Sequence, residues 1–255
     1  MEELLEVTGL NKSFGGLRAV NNVDFSVSSG IIKGIIGPNG AGKSTLFNLI
    51  AGRTVPDSGK VFLGGKNITA RKPHNIARAG IAGTFQTSRL FPQMSVLDNV
   101  KVGRHIKTKA GFFSCMLNLP YTWKEEKAAE SDSLAILEEL ELLDLAYEEA
   151  GNLAFGRQRL VEFARALAME PVILMLDEPA AGLNMRETAE LAELIVRIKD
   201  RGITVLIVEH DMSLVMNICD ELLVLDRGKK LVEGKPLDIQ KNPEVIKVYL
   251  GDDDD

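Results

Sequence analysis

The chain has 255 residues, 45% hydrophobic and 26% charged. This composition fits one large packed domain or two small ones and excludes disorder, a collagen-like repeat and a disulfide-stapled miniprotein. The formal net charge is −6, but four of the 36 acids form the tail Asp252 to Asp255, and the −2 left for the body gives no broad electrostatic footprint for nucleic acid.

Taken in order, Leu4–Val7 and Val23–Val27 read as short strands, with turns at Gly15-Gly16 and Ser28-Ser29-Gly30. Ile31–Ile36 is an apolar run that stops at Gly37. Leu46, Leu49 and Ile50 then repeat at helical spacing, and Gly52 can close that helix. Strand texture returns at Val61–Leu63, turns helical near residue 72 and returns at Ile81–Gln86. From Thr87 to Leu153 the texture changes. This stretch holds Phe91-Pro92, the basic cluster Lys101, Arg104, Lys107 and Lys109, the single Trp123, and a helical run from Ala128 to Leu145. A further helix is expected over Leu160–Met169, then the buried strand Val172–Leu176, the amphipathic helix Glu187–Lys199 and the strand Ile203–Val208. Alternating strands and helices predict a parallel sheet covered by helices. The expected organisation is an α/β core over 1–86 and 154–255, with a mainly helical insertion over 87–153.

No apolar run approaches the roughly 20 residues that cross a bilayer. The acidic start Met1-Glu2-Glu3 lacks the basic region of a signal peptide. Cys115 and Cys219 match no metal-ligand spacing and fit a reducing compartment. A soluble cytoplasmic chain is therefore expected.

Gly37-Pro38-Asn39-Gly40-Ala41-Gly42-Lys43-Ser44-Thr45 satisfies the phosphate-loop pattern, between an expected strand and an expected helix. Glycines let backbone N–H groups close on phosphate oxygens, and the helix start adds its positive dipole end. In that pattern Lys43 reaches the β- and γ-phosphates of ATP and the Ser44 hydroxyl binds Mg²⁺. Val172 to Leu176 ends in Asp177-Glu178, at the strand tip where open α/β sheets bind ligands. Asp177 can hold Mg²⁺ through water, and Glu178 can orient or deprotonate an attacking water. His210, after the next expected strand, can reach the same edge if that strand is a parallel neighbour.

With these elements in this order, the chain resembles the ATP-binding subunit of ABC transporters over essentially its full length. Gly37–Thr45 is similar to Walker A and Val172–Glu178 to Walker B. Gln86 resembles the Q-loop glutamine, which also ligates the metal, and His210 the switch histidine. Leu153-Ala154-Phe155-Gly156-Arg157-Gln158 stands where the signature does, Asn184 closes a D-loop-like Ala180-Ala181-Gly182-Leu183-Asn184, and Phe14 is placed like the aromatic that stacks on adenine. The resemblance implies a P-loop NTPase (RecA-like) core with an N-terminal antiparallel β subdomain and an inserted helical subdomain. It also implies a head-to-tail dimer with a second ATP-binding subunit, paralogous or identical. Two membrane permease subunits and an external solute-binding protein complete the implied assembly, peripheral on the inner face of the cell membrane. A finer resemblance is to the larger ATP-binding subunit of branched-chain amino-acid importers, carried by Asn152 to Gly156, Glu178 to Asn184, Glu209-His210-Asp211-Met212 and the ending from Asn242 to Gly251.

The chain departs from the common pattern at three places. Ala154 removes a hydroxyl that binds γ-phosphate across the dimer, Arg157 replaces a glutamine, and Asn184 replaces an aspartate. Arg157 either strengthens phosphate binding in trans or faces solvent. Two rival readings stand beside import of leucine, isoleucine and valine: a soluble ABC ATPase without a membrane partner, and an importer subunit for another solute such as urea or amides.

Overall fold

The computed structural model describes residues 3–84, 90–106 and 120–250. They divide into two compact units, 1–83 with 172–255, and 84–171. The second unit is wider than the expected insertion because it takes in the helix that follows residue 154.

In the first unit, β1 (Glu3–Phe14) and β2 (Leu17–Ser28) form an antiparallel hairpin. Gly15 and Gly16 close it at φ 52° and 90°, the positive values that let a two-residue turn follow the strand twist. Both strands run beyond the apolar stretches that announced them. The polar end of β1 is held from the side, where Asp57 accepts from Lys12 Nζ at 2.8 Å and from the Ser13 amide at 2.7 Å. With β4 (Ser58–Leu63) and β5 (Lys66–Asn67) they make a four-stranded sheet in the order β2-β1-β4-β5.

The second sheet is built around β3 (Ile32–Ile36), followed by α1 (Lys43–Ile50), which ends where Gly52 turns at φ 68°. The helix α2 (Pro73–Ala79) leads into β6 (Ile81–Gly83), and β7 (Ile173–Asp177) and β8 (Thr204–Val208) complete the parallel set with β9 (Glu221–Asp226). β10 (Lys229–Gly234) adds antiparallel, giving the order β10-β9-β3-β8-β7-β6. Every residue of β3, β7 and β8 is buried, as the continuous apolar runs require of strands covered on both faces. Lys33 is the exception in chemistry. Its ammonium donates to the Ser26 carbonyl at 2.6 Å, to Glu221 at 2.9 Å and to Glu233. A buried cation persists only when paired in this way. Parallel pairing sets the C-terminal ends of β3, β7 and β8 along one sheet edge.

The hydrophobic cluster of this unit joins inward residues of the hairpin (Leu5, Leu10, Val23) to α1 (Leu46, Phe47, Ile50) and to β3, β7 and β8. α6, numbered after the helices of the second unit, covers Met185–Asp200 and buries Leu191, Leu194, Ile195 and Ile198, the stripe read from the sequence. The helices α7 (Met212–Ile218), α8 (Pro236–Gln240) and α9 (Pro243–Leu250) follow. Cys219 is a buried free thiol whose pKa burial pushes up to about 12, with Asp220 adding to the rise. It is inert at neutral pH. Cys115 and the Asp252 to Asp255 tail lie outside the described residues.

The second unit contains α3 (Val96–Arg104), α4 (Pro120–Glu139) and α5 (Phe155–Leu167). The expected helix Ala128–Leu145 ends earlier, at Glu139. Glu141 turns at φ 55°, the Leu142 amide bonds back to Leu137 O at 2.8 Å, and Leu143–Leu145 is a separate 3₁₀ turn. No glycine marks that stop, so composition alone carries the helix too far. α3 and α5 approach closely at Gly103, where a Cβ would lie 2.1 Å from the Arg165 carbonyl oxygen.

The fully buried Asn99 of α3 organises residues 91–95. Its Oδ1 accepts from the Phe91 amide at 2.8 Å, and its Nδ2 donates to the carbonyls of Phe91 (3.0 Å), Met94 (3.3 Å) and Ser95 (3.0 Å). Asn99→Ala should cost about 2–3 kcal/mol, because it strands buried backbone groups as well as removing bonds. Urea denaturation of the full chain measures this, and a loss below about 0.5 kcal/mol would contradict the assigned role.

Candidate nucleotide-binding site

The loop after β3 is built from backbone that side chains cannot enter. Gly37 stands at φ 148° and Gly42 at φ 99°. A Cβ at Gly37 would lie 2.2 Å from the Leu225 carbonyl oxygen, and one at Gly42 would lie 2.2 Å from that of Ala19. The loop therefore runs pressed between β2 and β9, and its turn is fixed by Ala41 N to Pro38 O (3.1 Å) and Gly228 N to Ala41 O (3.0 Å). Asn39 and Gly40 remain exposed at the crest.

α1 starts at Lys43 with Gly42 as N-cap, so no side chain satisfies its first amides and no acid sits in its first turn. Such a start favours an anion. The largely buried Lys43 ammonium arches back and donates to Gly37 O at 2.6 Å and Pro38 O at 3.0 Å. Burial lowers its pKa, and the Glu178 carboxylate pushes it back up. The Ser44 hydroxyl is exposed and Thr45 partly so.

Asp177 is the buried last residue of β7, in register with Val208 of β8. Glu178 leaves the strand in the left-handed region at φ 48°, with its amide donating to Val208 O at 2.8 Å. That turn carries the carboxylate off the line of the strand, at the sheet edge where Lys43 feels its charge. His210 lies two residues beyond β8, and parallel pairing of β7 with β8 brings it to this edge with its imidazole exposed. Phe14 ends β1 half-exposed, with the Lys12 ammonium 5.4 Å from its ring centroid.

Asn184 occupies the N-cap of α6. It accepts from the amides of Arg186 and Glu187, both at 3.0 Å, while Glu187 returns a carboxylate to the Asn184 amide at 2.9 Å. Asparagine caps a helix as well as aspartate does, so this exchange costs the helix nothing.

In the second unit, Leu153 precedes Ala154, the N-cap of α5, which offers no side-chain acceptor. Phe155 is half-exposed, with the Arg159 guanidinium 5.2 Å from its ring centroid, and Gly156 follows in the first turn. Gln158 Nε2 donates to Leu153 O at 2.9 Å. Arg157 is exposed, and its Nη1 donates to Glu141 O at 3.0 Å, at the turn that ends α4. Gln86, Thr87 and Ser88 lie outside the described residues, as do Lys107 and Lys109 of the basic cluster.

Two contributors escaped the sequence reading. Glu209, wholly buried beside His210, could have been noticed as a carboxylate directly after an apolar strand. Tyr249 of α9 is acted on by the Gly37 amide, which opposes the rise in pKa that burial imposes on its phenol. No local signal ties a C-terminal tyrosine to a loop some 200 residues earlier.

A phosphate loop at the C-terminal edge of a mainly parallel sheet, with an Asp-Glu pair at the tip of β7 two strands along that edge, defines a P-loop nucleotide-binding protein. Residues 20–181 match the family described as ABC transporter, and residues 229–255 match the one described as branched-chain amino acid ATP-binding cassette transporter. The chain is 44% identical over 250 residues to the high-affinity branched-chain amino acid transport ATP-binding protein BraF of Pseudomonas aeruginosa, covering 98% of each chain. It is equally similar over 252 residues to LivG of Escherichia coli, of the same description, covering 98% of this chain and 99% of that one. A crystal structure of an ABC-transporter ATP-binding cassette in its ADP conformation superposes with a TM-score of 0.86 at 35% identity, over 98% of this chain and all of that one. The chain belongs to the ABC transporter ATP-binding family. It is an ATP-binding ATPase of that class.

Proposed function

We propose that this chain is the ATP-hydrolysing subunit of an importer for branched-chain amino acids. The observation that carries the solute class is the full-length similarity to relatives named for that transport, which extends through the C-terminal segment 229–255. The sheet-edge geometry supports the chemistry. Lys43 and the amides of the loop neutralise the phosphates. Glu178 orients a water and accepts its proton as the water oxygen bonds to the γ-phosphorus and the bond to the bridging oxygen of ADP breaks. His210 and Gln86 steady that water and the γ-phosphate, and Phe14 stacks on adenine.

Ser44 and Asp177 offer only oxygen donors. No cluster of three or more His, Cys, Asp or Glu able to hold a metal occurs among the described residues. This set fits Mg²⁺, which takes one or two protein oxygens plus phosphates and neutralises phosphate charge when bound. Residues 153–158 face the γ-phosphate of a second ATP-binding subunit, whose own segment completes this site. Among the described residues no helix is long and apolar enough to cross a membrane. Coupling to transport then runs through the insertion 87–153, which docks on two permease subunits at the inner face of the cell membrane.

Purification of the full chain from membranes, followed by reconstitution with the co-purifying permease and binding protein, tests this reading. Leucine, isoleucine and valine should stimulate ATP hydrolysis and enter proteoliposomes with it. A complex without membrane subunits, or stimulation by urea or amides alone, would overturn it.

A further inference from the structure

The wholly buried carboxylate of Glu209 joins two loops at the sheet edge. Its Oε1 accepts from the Ala180 amide at 2.9 Å, and its Oε2 accepts from the amides of His210 at 2.9 Å and Asp211 at 3.2 Å. A buried carboxylate is costly unless donors surround it, and here three backbone donors do, from segments 29 residues apart. Those segments carry Glu178 and His210.

The backbone from 178 to 181 is bonded throughout. The Glu178 amide is held by Val208 O at 2.8 Å, Pro179 has no amide hydrogen, the Ala180 amide is held by Glu209, and the Ala181 amide returns to Glu178 O at 3.2 Å. Glu178 itself sits at φ 48°, a conformation that a non-glycine residue keeps only when its surroundings impose it. One restraint before Pro179 and one after it impose it here, and the second is the Glu209 side chain. The same carboxylate fixes the start of the loop that presents the His210 imidazole, whose Nδ1 lies 3.6 Å from Oε2.

We infer that Glu209 is a positioning residue that locks Glu178 and His210 into one rigid pair for hydrolysis. This rests on the roles proposed for those two residues. Glu209 lies outside the phosphate loop, and its three amide partners belong to the loops after β7 and β8. Its loss should therefore slow the chemical step while leaving nucleotide affinity in place. Glutamine keeps the volume but presents one acceptor and one donor, so one of the two loops loses its anchor. Alanine frees both.

The test compares Glu209→Gln and Glu209→Ala in the full chain, with nucleotide-binding stoichiometry as the count of folded sites. For Glu209→Gln, kcat per nucleotide-binding site should fall about tenfold or more while KM and the nucleotide Kd stay within about threefold, with Glu209→Ala lower still. Three results would overturn the inference: kcat per binding site within about twofold of the parent, nucleotide affinity lost in parallel with turnover, or equal kcat in the two variants. Glu178→Gln, run alongside, separates the two levels. Normal turnover in that variant overturns the assigned base itself, whereas arrested turnover there with a normal Glu209→Gln overturns only the positioning role.

Discussion

Glu178→Gln should bind ATP with near-parental affinity and hydrolyse it at least a hundredfold more slowly, a loss on the order of general-base catalysis. The amide keeps the size of the side chain and its place in the left-handed turn at φ 48°, so the loop should not rearrange. What is removed is the negative charge and with it the capacity to take a proton. The Lys43 ammonium also loses the carboxylate that raises its pKa and is left with burial, which lowers it. Lys43 should therefore hold its proton less firmly in the variant, and any fall in ATP affinity should grow toward alkaline pH. If ATP joins two subunits and hydrolysis parts them, arrested hydrolysis accumulates the closed dimer, a shift of population rather than a new structure. Size-exclusion chromatography of the variant with ATP reads that state. Unimpaired phosphate release would remove Glu178 from the mechanism.

How much of this site was legible beforehand depended on how local each signal is. The phosphate loop is nine consecutive residues whose glycines answer a local need, close backbone approach, so its pattern and its conformation coincide. β7 and β8 were readable because strands buried on both faces must be apolar throughout. By contrast, β1 extends through Asn11, Lys12 and Ser13 on bonds to Asp57, and no periodicity announces a strand held by a side chain from elsewhere in the chain. α4 stops on a non-glycine residue, Glu141, at positive φ, and the Ala-Glu-Leu composition continues past it. The bond from Arg157 to Glu141 O has no local signal because its partner is a backbone carbonyl, and every residue has one. Glu209 stands beside His210 in the sequence, but its function as an anchor depends on the register of β7 against β8, which only the folded sheet supplies.

The second large effect is expected at Lys43. Replacing it by alanine should weaken ATP binding about tenfold to a hundredfold, the worth of a charge-assisted hydrogen bond in a protected site. The fold should tolerate the change. In the free protein the ammonium bonds to two loop carbonyls, Gly37 O and Pro38 O, and burial already works against its charge. Alanine leaves those carbonyls without their donor but also relieves the desolvated cation. The two terms oppose, and stability should move by less than about 1 kcal/mol. A ligand measurement and a denaturation measurement on the same variant therefore separate the roles. The loss should also be larger for ATP than for ADP, because the lysine of a phosphate loop works on the β- and γ-phosphates together. Lys43→Arg sharpens the point, since it keeps the charge but replaces a compact ammonium by a broad planar fork. In a loop closed by backbone contacts at Gly37 and Gly42, that fork should not fit, and ATP affinity should fall almost as far as in the alanine variant. Unchanged affinity for ATP in Lys43→Ala would mean that the loop does not cradle phosphate at all.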